Sequence, residues 1–181
     1  MQGNGVNSTA GGAISGEQFA GSVQSAFFER FNTPLTIDRQ RTFGAGASYT
    51  VDAMTFGAVW TQSRLNNNAF DAANVVNNYE VNARYLVTPA LALGAAYTYS
   101  QEKVTVGGAS SDKFKFHQFG LRADYALSKR TDFHIEAVRQ IGSASGDTAA
   151  PSASIANSNG AFGPSSSSRQ VLVNTGIRHR F

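Results

Sequence analysis

Apolar and polar residues alternate along most of this chain, most clearly in the twelve residues that end it. The odd-numbered positions include the apolar residues Val171, Val173, Ile177 and Phe181. The even-numbered positions, which have the other parity, include Asn174, Gly176, Arg178 and Arg180. A period of two residues is that of a β-strand. A strand with one apolar and one polar face suits a wall between lipid and water. The alternative is an ordinary edge strand of a soluble sheet.

The same alternation recurs in six earlier segments. They are residues 42–51, 54–65, 77–87, 91–104, 113–127 and 132–142. Seven strands of about 10–15 residues are long enough to cross a bilayer at a tilt. Their connections alternate between short ones (52–53, 88–90 and 128–131) and long ones (66–76, 104–112 and 143–169). The pattern predicts an all-β, antiparallel, up-and-down transmembrane barrel with short turns at one end and long loops at the other.

Aromatic residues occur where such a barrel would meet the two membrane surfaces. Tyr49, Tyr85 and Tyr125 lie near the short turns, and Trp60, Tyr79 and Tyr99 lie toward the long loops. Seven strands in a meander leave the first and last pointing the same way, so these two cannot pair antiparallel. Either residues 18–31 supply an eighth strand, or the chain is part of a larger barrel.

The chain divides into a loop-rich N-terminal segment, residues 1–41, and a barrel portion, residues 42–181. No cysteine is present, which excludes disulfides and thiolate metal sites. The first five residues have no features of a secretory signal, so we expect a mature, tagged or truncated form.

Charge and hydropathy exclude two further classes of protein. The net charge is +3 and no dense run of Lys and Arg occurs, so a nucleic-acid surface is not indicated. Mean hydropathy is -0.23 and no run of about 18 apolar residues is present, so no transmembrane helix is predicted.

The charged residues that alternate with the apolar ones are the candidate pore lining. A charged side chain is energetically costly against lipid, whereas it is readily accommodated on the water-filled side of a barrel wall. These residues are Glu80, Arg84, Arg122, Asp124, His134, Glu136, Arg178 and Arg180. Their basic members would favour anions through the local potential. The alternative is that these charges pair across strands and hold the wall together.

No catalytic or metal site is expected. The three histidines, His117, His134 and His179, show no ligand spacing on a common face. His134 beside Asp132 or Glu136 could be a base with an orienting carboxylate, but no nucleophile motif accompanies them. The sequence therefore predicts neither a metal, a cofactor nor an enzyme.

Several blocks, in order, resemble the general porins of betaproteobacteria. They include FGAGASY at 43–49, PALALGAAYTY at 89–99, HQFGLRADY at 117–125 and GIRHRF at 176–181. The resemblance covers about residues 42–181. It implies the C-terminal portion of a sixteen-stranded, homotrimeric barrel in the cell outer membrane. Such a barrel contacts outer-membrane lipid and passes ions and small hydrophilic solutes by passive diffusion.

The resemblance also implies a role for the last residue. In that family the final aromatic, here Phe181, is part of the signal read by the barrel-assembly machinery. The family's constriction loop lies in the half of the barrel that is not represented here.

Two other functions remain open at this point. A small closed eight-stranded outer-membrane barrel would act as a binding or anchoring module through its loops, with an interior filled by small side chains. A soluble lipid-carrying barrel would instead need its apolar residues inside and its polar residues outside.

Overall fold

A computed structural model describes residues 39–67, 72–106, 109–145, 150, 153, 155 and 165–181. The described chain folds into seven β-strands. They are β1 Arg39–Val51, β2 Met54–Asn67, β3 Ala72–Leu86, β4 Leu91–Val106, β5 Ala109–Ala126, β6 Thr131–Ser145 and β7 Arg169–His179. Within these residues, no helix is long and apolar enough to cross a membrane.

The strands form one antiparallel sheet in sequence order, as the alternation predicted. Strands β1 and β7 are its two edges, they run in the same direction, and the described sheet is not closed. The predicted tight hairpin is confirmed, with Val51 paired to Met54 and Asp52 at a φ of 49° in the turn. The possible eighth strand at 18–31 lies outside the described residues.

The prediction of long loops at 66–76 and 104–112 was wrong, because the β-ladders continue through most of both segments. Strand β3 begins at Ala72 and β5 at Ala109, so only 68–71 and 107–108 separate strands in these places. Polar side chains extend the ladder by pairing with one another: the amide of Asn74 donates to Glu102 Oε1 at 2.7 Å. The ladder of β4 and β5 also continues past a register shift between Lys103 and Thr105.

The pairing register shows a regular stagger from strand to strand. Strand β3 continues two residues past the level of the first turn, and β5 two residues past the level of the second. Met54, at the first turn beside Val51, pairs with Tyr85, but β3 reaches its own turn only after Val87. In the same way Leu91 pairs with Tyr125, but β5 reaches its turn only after Leu127. A lag of about one residue per strand, at a rise near 3.3 Å and a spacing near 4.8 Å, corresponds to strands tilted by roughly 35°. This is the tilt of a membrane barrel wall.

The stagger brings three tyrosines to one height. Tyr49, Tyr85 and Tyr125 each lie two residues before the last paired residue of a hairpin. At the other end Trp60, Tyr79 and Tyr99 occupy one cross-strand row, and the rings of Tyr79 and Tyr99 stack at 6.3 Å. The structure thus has aromatic side chains at both ends of the apolar face.

The two faces of the sheet differ as the sequence predicted. The outer face, defined by the parity of Phe56, Val81, Leu121 and Val173, leaves large apolar side chains exposed. The buried residues lie mostly on the other, inner face, near the end away from the short turns; examples are Val76, Ser100 and Phe116. An apolar outside and a polar inside are the reverse of what a soluble lipid carrier needs.

Candidate functional site

An open depression of about 740 Å³ lies on the inner face toward the short turns. Small residues of β4 and β5 line it, namely Gly94, Ala96 and Gly120. Six of the eight predicted lining residues surround them: Arg84, Arg122, Asp124, Glu136, Arg178 and Arg180. The register brings these charges together, since one row runs from Arg84 through Gly94 and Arg122 to Glu136.

Arg122 is the centre of this cluster. Its Nε lies 3.0 Å from each carboxylate oxygen of Asp124, and its Nη2 donates to Asp124 Oδ1 at 2.8 Å. Its Nη1 donates to Glu136 Oε2 at 3.2 Å across the β5–β6 ladder. The side chains of the three residues are 31–42% exposed, so the pairs add little to stability. Their effect is to hold the guanidinium in place and to offset its charge.

A second ion pair joins β6 to β7. Arg178 Nη2 lies 3.0 Å from Asp132 Oδ1, and Arg180 Nη2 lies 4.0 Å from the same oxygen. Asp132 is not one of the lining residues that the sequence predicted. Its parity could have identified it, because Asp132 precedes His134 by two residues and therefore shares its face.

Glu80 and Arg84 have different surroundings from the paired arginines. Glu80 accepts a hydrogen bond from Asn82 Nδ2 at 3.0 Å and does not line the depression. Arg84 is exposed at the edge of the depression, and it forms no ion pair with any other described residue. The positive charge of Arg84 is therefore the one on this row that no carboxylate contacts.

His134 is on the inner face but makes no catalytic pair. Its Nδ1 is buried and lacks a hydrogen-bond partner among the described residues, so neither Asp132 nor Glu136 contacts the ring through that nitrogen. His117 and His179 have outer-face parity and bond to Tyr97 and Thr131 instead. No group of three or more His, Asp or Glu in the described ranges is placed to hold a metal ion.

The inner face has a second feature near the other end, which the sequence did not predict. The connection from β6 to β7 contributes Ala153 and Ile155, which are 0% and 8% exposed. The Ala153 backbone pairs with Ser165 and Ser167, and the Ile155 amide donates to Gln170 Oε1 at 2.7 Å. Because Gln170 has inner-face parity, this segment lies on the inner side of β7. In the sequence, only the apolar residues Ala153 and Ile155 within a Ser-rich stretch could have indicated this feature.

Comparisons with known proteins agree with this architecture. A family model described as Gram-negative porin matches residues 1–145. A comparison with curated protein sequences finds no match.

Two solved structures from Vibrio cholerae share the fold. One is the loop L8 deletion mutant of OmpT, an outer membrane protein, at 16% identity and a TM-score of 0.60. The other is outer-membrane expressed OmpT, at 15% identity and a TM-score of 0.61. In both cases 81% of this chain is covered, and it spans 40% and 43% of the length of those chains.

The family match covers most of the chain, the sheet has the tilt, apolar outer face and aromatic ends of a membrane barrel wall, and solved outer-membrane proteins share its fold. The chain therefore belongs to the Gram-negative porin family, as an outer-membrane β-barrel protein.

Proposed function

We propose that this chain is part of the wall of a water-filled pore that passes ions and small hydrophilic solutes by passive diffusion. The observation that supports the proposal most directly is the charged depression on the inner face, opposite an exposed apolar outer face. A polar, hydrated inner wall lowers the barrier for charged solutes. No bond is made or broken in this mechanism, so the protein is not an enzyme.

We further propose that Arg84 has the larger influence on ion preference. The charges of Arg122 and Arg178 are offset by Asp124, Glu136 and Asp132 at contact distance. A pore potential depends on net local charge, so a compensated guanidinium contributes less than an uncompensated one. The eight lining residues remain the proposed set, with Arg84 as the main contributor to an anion bias.

The test is the reversal potential of the complete protein in a planar bilayer under a KCl gradient. Arg84→Glu should move the preference toward cations. Arg130→Glu is the matched control, because it makes the same charge change on an exposed turn residue that does not line the depression. An unchanged reversal potential in the Arg84 variant would contradict its role, and absence of conductance in the wild type would contradict the pore itself.

The resemblance to betaproteobacterial general porins supplies the proposed whole protein. We propose that the chain is the C-terminal portion of a sixteen-stranded barrel that assembles as a homotrimer, with short turns in the periplasm. The unpaired edges β1 and β7 and the 40% and 43% coverage of the solved relatives support a larger barrel. Cross-linking of the complete protein in membranes tests the trimer, and a monomer there would contradict it. If conductance is absent and an eight-stranded barrel forms, the binding-module alternative replaces the pore.

Phe181 is the proposed signal for the barrel-assembly machinery. It lies beyond the last residue of β7, is fully exposed, and contacts only the ring of His179, at 4.9 Å, among the ring contacts of the described residues. Phe181→Ser should lower the yield of membrane-inserted protein in cells while leaving refolding into detergent unchanged. Equal insertion of both forms would contradict the assignment.

A further inference from the structure

Two buried polar atoms on the inner face of β6 lack a hydrogen-bond partner in the described part of the chain. They are Nδ1 of His134 and Oδ2 of Asp132. The other carboxylate oxygen of Asp132 accepts from Arg178 Nε at 3.1 Å, so only Oδ2 is left over. His134 and Asp132 are two positions apart on one strand and therefore share its face. A nitrogen that can carry a proton and an oxygen that can accept a hydrogen bond are thus unpartnered at neighbouring inner-face positions.

Side chains with this spacing can reach each other on the inner face. On β5, Arg122 Nη2 donates to Asp124 Oδ1 at 2.8 Å across the same interval of two residues. The His134 ring also has room to turn, because its register partner on β7 is Gly176, which has no side chain. Rotation of the ring would let Nδ1 approach Asp132 Oδ2.

A proton on His134 would supply the missing hydrogen-bond donor. A neutral imidazole has one N–H group, whereas the charged form has an N–H on both nitrogens. Nδ1 of the charged ring would then be a donor, and the free oxygen of Asp132 is an acceptor of opposite charge. Imidazole is the side chain whose charge ordinarily changes between about pH 5 and about pH 8. The pair would therefore be complete in acidic solution and incomplete in alkaline solution.

The charges on the strands beside His134 cancel. The adjoining segments of β5, β6 and β7 each contribute two charged side chains to the inner face, namely Arg122 and Asp124, Asp132 and Glu136, and Arg178 and Arg180. Three arginines and three carboxylates have no net charge. Arg84 of β3 and Lys129 of the short turn before β6 line the same depression and make it positive. One proton on His134 would add one positive charge to a balanced set and strengthen that potential.

We propose that His134 is a proton-dependent determinant of ion preference. When the ring takes up a proton from water, Nδ1 donates a hydrogen bond to Asp132 Oδ2, and the lining gains one positive charge. Because the potential in a pore depends on the local net charge, the preference for anions rises as the solution becomes more acidic. The inference rests on the proposed pore, and it identifies how the same lining responds to pH.

The first test measures the reversal potential of the complete protein in a planar bilayer under a KCl gradient, at about pH 8 and at about pH 6. In the wild type the chloride-to-potassium permeability ratio should rise about twofold on acidification. His134→Gln, which cannot take up a proton, should lose most of this rise. His179→Gln is the matched control, because it makes the same substitution at a residue with outer-face parity whose ring bonds to Thr131. The control should keep the full rise.

The outcomes separate this inference from the pore. An equal rise in the wild type and in His134→Gln would overturn the inference, as would the absence of any rise in the wild type. Conducting channels in either case would leave the pore intact, whereas absence of conductance in the wild type would contradict the pore itself. Other titrating groups are common to both proteins, so the difference between them reports on His134. If His134→Gln does not fold, His134→Asn takes its place.

The second test examines the hydrogen bond and needs no conductance. Side-chain nitrogen NMR of the protein in detergent follows the protonation of each histidine, and the spectrum of His134→Gln identifies the signal of His134. Asp132→Asn should weaken proton binding by His134 about tenfold, because it removes the charged acceptor. Glu136→Gln removes the same charge at the other position two residues from His134. It should weaken proton binding less, because Glu136 already accepts from Arg122. Equal weakening by both variants would overturn the hydrogen bond to Asp132.

Discussion

The ring of His134 occupies the space that a side chain at Gly176 would need on the neighbouring strand. A Cβ built on Gly176 would lie 2.6 Å from His134 Cε1, and the two residues are register partners on β6 and β7. The pair lies on the inner face beside the ion pair of Arg178 and Asp132. A missing side chain on one strand thus makes room for a ring on the next.

Gly176→Ala should therefore lower stability. The added methyl forces the His134 ring to rotate, which should lower the free energy of unfolding by about 1–2 kcal/mol. Urea unfolding in detergent would measure this loss. Gly120→Ala is the matched control: the nearest atom to its Cβ would be 4.0 Å away, so no loss is expected. His134→Ala should remove most of the cost of Gly176→Ala in a double-mutant cycle, and additive losses would contradict the steric explanation.

Arg122→Gln should shift ion preference toward cations. The substitution leaves the carboxylates of Asp124 and Glu136 without the guanidinium that contacts both of them. Because all three side chains are partly exposed, the loss of stability should be at most about 1 kcal/mol. Reversal potentials would measure the shift, and Arg122→Lys, which keeps the charge, should retain most of the wild-type value. A shift toward anions in Arg122→Gln would contradict the assignment.

Ala153→Asp should displace the segment that lies on the inner side of β7. Ala153 is fully buried, and an ionised carboxylate placed there without a partner is strongly unfavourable. If the segment narrows the pore, single-channel conductance should rise. Ser166→Asp adds the same charge at an exposed position of the same connection and serves as the control. Unchanged conductance in a folded Ala153 variant would show that the segment does not restrict the lumen.

Asn74→Ala should destabilise the end of the sheet away from the short turns. Glu102 is 1% exposed, and Asn74 Nδ2 donates to its Oε1 at 2.7 Å, while Oε2 has no partner among the described residues. Loss of that donor should cost about 1–3 kcal/mol, because it leaves a buried carboxyl unsatisfied. Thermal unfolding would measure it. The loss should be smaller in a Glu102→Gln background, and an equal loss there would mean that the carboxyl is not the source.

Much of the fold could be predicted from the alternation of residues. The parity that separates Val171 from Arg178 also assigned Arg122, Asp124 and Glu136 to one face, and the register places them around one depression. The strand ends were less predictable. Residues 72–76 and 109–112 lie in segments that the sequence predicted as loops, yet the ladders continue through them, because cross-strand partners satisfy their backbone groups.

Electrostatic partners could not be predicted, because they depend on register. Parity gives the face of a side chain, but a shift of two residues keeps the face and changes every partner. The contact of Arg122 with Glu136 and the unpaired position of Arg84 both follow from the observed pairing. The inward position of Ala153 and Ile155 could not be predicted either, since the burial of two isolated apolar side chains depends on which strand lies beneath them.

The sequence by itself determined that this chain forms a sheet with one lipid-facing side and one water-facing side, because a period of two residues places apolar and polar side chains on opposite faces. The tertiary structure decided which charges cancel, which remain uncompensated and at what height the aromatic residues lie. Those properties depend on register and strand tilt, and both are set by pairing between segments that are distant in sequence.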